Sequence, residues 1–188
     1  MKNKIHVSFK HLINIRFFLF TFANILASET YTIMSQYCIY LKVPDYLDQW
    51  LRHDFWNPAM ARVEFERGSN VHAIMSTFLS KRPADYIEPD TTGLLPVAVP
   101  TFKGMNPDQH NYLFAEGRKA VVSAIKRNFR RVLDKELSAF FRHDISITDI
   151  IAAFMAKHGI ADDPRNAETI RQMYKRERDK SIKPTSVK

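Results

Sequence analysis

The residues able to do chemistry fall into two groups. His53-Asp54 and His143-Asp144 are the pairings a metal-dependent phosphohydrolase would use. Such a centre needs two further ligands from facing elements, and adjacent side chains on one helix point apart. Glu64 and Glu66 share one face of an alternating stretch, which a solvated strand accounts for. No HExxH, GxSxG, GxGxxG or GxxxxGKS/T occurs, and five glycines leave little material for a phosphate-cradling loop. No catalytic constellation and no cofactor are therefore expected. The second group is a set of long donors near the C-terminus: Arg165, Thr169, Gln172, Lys175 and Arg176, preceded by Arg127, Arg130 and Arg131. Arg and Lys pair with phosphate or guanine oxygens, and Gln can read adenine bidentately. The chemistry they offer is recognition of a polyanion.

Charge supports this choice. The net charge is +8 over 188 residues, yet residues 1–117 hold 11 Lys+Arg against 11 Asp+Glu, whereas residues 118–188 hold 17 against 9. The whole excess lies in the C-terminal part, which is the distribution of a neutral half and a polyanion-facing half. The single cysteine, Cys38, lies in an apolar alternating run and is expected to be a small buried hydrophobe.

The elements that must position these donors begin at Ile145. Ser146 and Thr148 are candidate caps, Ile150, Ile151, Phe154 and Met155 form an apolar stripe, and Gly159 stands where a left-handed residue ends a helix. Asp163-Pro164 reads as the cap and first position of a second helix. On it Ala167, Ile170, Met173 and Tyr174 share one face. Arg165, Gln172, Lys175 and Arg176 fall on the other, with Thr169 and Arg171 at its margins. The outline is a helix-turn-helix. Its register departs from the standard motif: Met155 stands where a small residue is expected, and the turn, Ile160 to Arg165, is longer. Before it, Tyr112 to His143 predicts one helix of about 30 residues, with Val121, Val122, Ile125, Phe129, Val132, Leu133, Leu137 and Phe140 inward and Gly117 as a candidate break. Lys119, Lys126, Arg127, Arg130, Arg131 and Lys135 face outward.

The remainder divides at composition changes. Residues 1–33 are a leader with three open readings: translated upstream or disordered sequence ahead of a start at Met34, a signal-like or anchoring segment around Phe17 to Ala27, or a helix of the fold. At 11 residues this largely apolar run is too short to span a bilayer, so no stable membrane insertion is expected. Residues 34–80 read as a small β-α-β-α unit: a strand at Gln36 to Val43, a helix at Tyr46 to Phe55, a strand at Arg62 to Glu66, and a helix at Asn70 to Leu79 capped by Ser69. Trp50 and Trp56 are expected to pack the first helix on its strand. Residues 81–111 hold five of the nine prolines and read as a connecting segment, in which Pro96 and Pro100 confine Leu94 to Phe102 to a sheet edge or an irregular strand. Residues 112–182 are the helical unit and 183–188 a tail.

The run from Ile147 to Ile160, ITDIIAAFMAKHGI, followed by a basic helix, resembles the C-terminal part of small proteins carried by bacterial mobile elements. The resemblance implies a role in DNA transactions. The expected fold class is α+β, a small mixed N-terminal unit with a helix-turn-helix-like C-terminal unit. The expected function is a cytoplasmic regulatory or accessory protein whose partner is nucleic acid, duplex DNA in particular. If the leader is a real signal, export or membrane association replaces the cytoplasm. The rival is a protein-interaction module using the Pro-rich segment. An apolar patch near Val97 to Phe102 would favour the rival. A positive stripe linking Arg127, Arg130 and Arg131 with Lys175 and Arg176 would favour nucleic acid.

Overall fold

The computed structural model describes residues 34–87, 90–141 and 146–182. The leader, the His143-Asp144 pair and the tail lie outside them. The class is α+β, with a four-stranded mixed sheet and five helices among the described residues. In chain order these are β1 (Met34–Leu41), α1 (Asp45–Asp54), β2 (Trp56–Asn57), β3 (Arg62–Val63), α2 (Asn70–Phe78), β4 (Leu95–Pro100), α3 (Ala115–Leu137), α4 (Ile147–Lys157) and α5 (Pro164–Ile182).

The sheet order is β1-β4-β3-β2. β1 pairs antiparallel with β4, Cys38 facing Ala98 and Leu41 facing Leu95, while β3 and β4 are parallel around α2. β4 is therefore internal, which corrects the edge position expected from its prolines. The reason is local: β3 meets β4 only at Val63 and Val97, a parallel contact that calls on no proline amide. Val97, Ala98 and Val99 are buried in the core, so these three residues form no exposed apolar patch of the kind that would favour the rival reading. The strand expected at Arg62 to Glu66 is β3, two residues long, and it pairs with β2 across a turn in which Ala61 takes a positive φ of 50°.

Helix limits follow capping. Ser69 caps α2, its hydroxyl accepting the His72 amide at 3.2 Å. Pro44 precedes α1, whose Tyr46, Leu47, Trp50 and Leu51 are buried. Trp56 is half-buried at the sheet rim, and Arg52 lies over its ring at 4.9 Å. Gly117 sits in the first turn of α3 without breaking it. It lies against α2, where an added Cβ would meet Phe78 Cβ at 2.9 Å. After Leu137 the chain tightens into a 3-10 turn, Ser138–Phe140, so the helix is 23 residues long and Phe140 is exposed rather than inward.

One contiguous apolar cluster runs from Ile39 to Tyr174. At its centre the ring of Phe129 on α3 makes edge contacts with Tyr46 and Trp50 of α1 at 5.1 Å each and with Phe154 of α4 at 5.9 Å. The positions of α4 and α5 thus depend on α1 as well as on α3.

Candidate nucleic-acid interface

The candidate interface is built on α5, and three local features set that helix. α4 ends in a Schellman turn: the Ile160 amide reaches the Met155 carbonyl at 2.9 Å, the Gly159 amide reaches Ala156, and Gly159 has φ +63°. Asp163 then opens α5, its Oδ1 accepting the Arg165 amide at 2.8 Å. That hydrogen bond, ahead of the opposing effect of burial and the help of the Arg165 side chain, holds the Asp163 carboxyl below the usual range. Finally, Ile170 and Tyr174 are buried, and the Tyr174 ring meets Phe141 at 5.3 Å.

The turn is held from α1. Gln49 Oε1 accepts the Ala161 amide at 2.8 Å and, at a longer 3.4 Å, Nδ2 of the buried Asn166. Beside it His158 is 6% exposed, with Nδ1 2.8 Å from Asp54 Oδ2 on α1 and Nε2 3.2 Å from Glu136 Oε2 on α3. The ring thus bridges two carboxylates, one at each nitrogen. Asp54 also accepts from Trp50 Nε1 at 2.7 Å and contacts His53 Nδ1 at 2.7 Å, and Glu136 pairs with Lys157 at 2.9 Å. Burial pushes both carboxyls up, but the hydrogen bonds from His53, His158 and Trp50 on Asp54, and from Lys157 and His158 on Glu136, outweigh it. Both lie below the usual carboxylate range. The His53-Asp54 pair, discounted as chemistry in the sequence, is therefore half of a structural tie.

α5 and α3 enclose a groove of about 570 Å³. Arg130 enters it from α3 and Arg165, Thr169, Gln172 and Arg176 from α5, so five of the eight residues expected to bind nucleic acid meet in one concavity. Arg127 and Arg131 are exposed on α3 outside its walls, and half-buried Lys175 lies outside them on α5. Among the described residues no carboxylate lies within ion-pair distance of Arg127, Arg130, Arg131, Lys175 or Arg176. Arg165 pairs with Asp163 at 3.4 Å while remaining exposed.

Glu168 also lines the groove and was not anticipated. It accepts from Gln172 Nε2 at 2.6 Å and from Arg171 at 3.3 Å, so the amide suited to reading adenine is engaged within the helix. The i, i+4 spacing of Glu168 and Gln172 was the available signal. Thr169 donates its hydroxyl to the Arg165 carbonyl at 2.7 Å. The arrangement can neutralise phosphate with three guanidinium groups, and Gln172 can be released to a base edge only by leaving Glu168. A scan against protein-family models and searches of curated proteins and of solved structures find no match.

Proposed function

We propose that this protein binds duplex DNA as a regulatory or accessory factor, seating the α3–α5 groove on the sugar-phosphate backbone and presenting the outer face of α5 to the bases. The observation that carries this reading is the convergence of Arg130, from one helix, with Arg165 and Arg176, from another, on a single concavity. Titration against duplex DNA at several salt concentrations tests it. Affinity should fall steeply with salt, and Arg130→Ala, Arg165→Ala and Arg176→Ala should each lower the slope of log K against log salt by about 1 where the contact is to phosphate. Absence of binding at about 50 mM salt, or a flat response, would overturn the proposal.

A specific observation supports a second reading, a protein-interaction module. Phe78 is 39% exposed, Ile87 87% and Phe114 55%, and the rings of Tyr86, Tyr112 and Phe114 stand in series 5.0 Å apart. This surface, near the start of α3, takes the place of the buried Val97 to Val99 stretch as the apolar candidate. If it is the working face, Phe114→Ser changes the state of association and the arginine substitutions do not.

A further inference from the structure

We infer that a second cationic cleft, between the end of β1 and the N-terminal half of α3, takes the backbone of the same duplex beyond the α3–α5 groove. This inference rests on the DNA-binding reading. The cleft is about 470 Å³ and is lined by Lys42, Arg118, Lys119, Ser123 and Lys126 around Val122, with no acidic side chain in its walls. The first groove, by contrast, contains Glu168. Among the described residues no carboxylate lies within ion-pair distance of Lys42, Lys119 or Lys126. The Arg118 guanidinium is steadied by Nε donating to the Leu113 carbonyl at 3.1 Å and by the Tyr112 ring 6.0 Å away.

The two clefts are brought into line by helical spacing. Lys119, Ser123, Lys126 and Arg130 occupy successive turns on one side of α3, at steps of three or four residues. Lys126 lines the second cleft and Arg130, one turn on, lines the first. A rise of 1.5 Å per residue places Lys119 about 16 Å from Arg130 along the axis. That length corresponds to roughly five base pairs at 3.4 Å each. A row of separated cations over such a distance matches a line of phosphates, whereas one compact anion would engage only part of it.

The test is the salt dependence of duplex binding by the full chain. Lys42→Gln, Lys119→Gln and Lys126→Gln are made singly and together, and a thermal melt verifies that each variant is folded. Each is expected to lower the slope by about 0.9, and the triple variant by nearly three times that. Lys103→Gln, beyond the opposite end of β4, removes the same charge away from the cleft and should leave the slope unchanged. If the triple variant keeps the wild-type slope while Arg130→Ala and Arg176→Ala lower it, the second cleft is overturned and the groove reading stands. An equal change in Lys103→Gln also overturns it, since the effect is then one of net charge alone. If the wild-type protein shows no salt-dependent binding, both readings fall.

Discussion

At the scale of single residues, His158 decides how the proposed binding face is held, because it joins α1, α3 and α4 through Asp54 and Glu136. Asp54 and Glu136 are depressed in the folded chain, so their contribution to stability is present above their unfolded values of about 4. That contribution is lost as pH falls through the lower folded values. Denaturant midpoints should therefore decline below about pH 4. His158→Gln retains at most one of the two bonds and should lower stability by about 1–3 kcal/mol at neutral pH. It should also flatten the acid decline, because both carboxyls then move back toward ordinary values. An unchanged acid limb in this variant would show that the tie contributes nothing. The caps at Ser69, Gly159 and Asp163 were legible in the sequence because each is decided by residues within about five positions. His158 has no such local signal for its role. Its partners stand 104 and 22 residues away, and no local spacing encodes that.

At the scale of elements, the division of α5 into a docking stripe and an outer face follows from its 100° periodicity, and the structure buries Ile170 and Tyr174 as expected. Periodicity does not reveal which outer residues neutralise one another. Glu168 places a negative charge in the groove that Arg130 and Arg176 also line, and it occupies Gln172. Glu168→Gln should tighten duplex binding about two- to fivefold at low salt, in line with the 0.2–1 kcal/mol of an exposed charge pair. Glu168→Ala, which also removes the acceptor of the Gln172 amide, should in addition free Gln172 for a base edge and sharpen discrimination between sequences. Weaker binding would mean that Glu168 supports the groove rather than opposing its ligand. β4 was the element most misjudged. Its prolines leave a sheet edge or an irregular strand open, because proline excludes only those ladder positions that need an amide hydrogen, and the pairing that decides between them comes from β3, about 34 residues earlier.

At the scale of the whole molecule, the charge partition read from the sequence maps onto α3 and α5, while the apolar cluster ignores it and runs through both halves. Composition reports where charge lies along the chain. It does not report which helix a turn leans on, so the support of the turn by Gln49 was not readable. A fragment of residues 112–182 retains every donor of the α3–α5 groove but lacks Gln49, Asp54, Tyr46 and Trp50. It should lose the cooperative unfolding transition and most of its affinity. Cooperative unfolding with undiminished binding by the fragment would separate the binding face from the sheet. The pairing of β1 with β4 has a kinetic consequence. Cys38 and Ala98 are partners about 60 residues apart, whereas α3, α4 and α5 are neighbours along the chain. Contacts of such unequal range form at unequal rates, since a long loop must close before the distant pair is rewarded. The helices should appear early and the closing of the sheet should limit folding. Until β4 has been synthesised, β1 has no partner strand, and its Met34–Leu41 backbone is the segment most open to pairing with another chain.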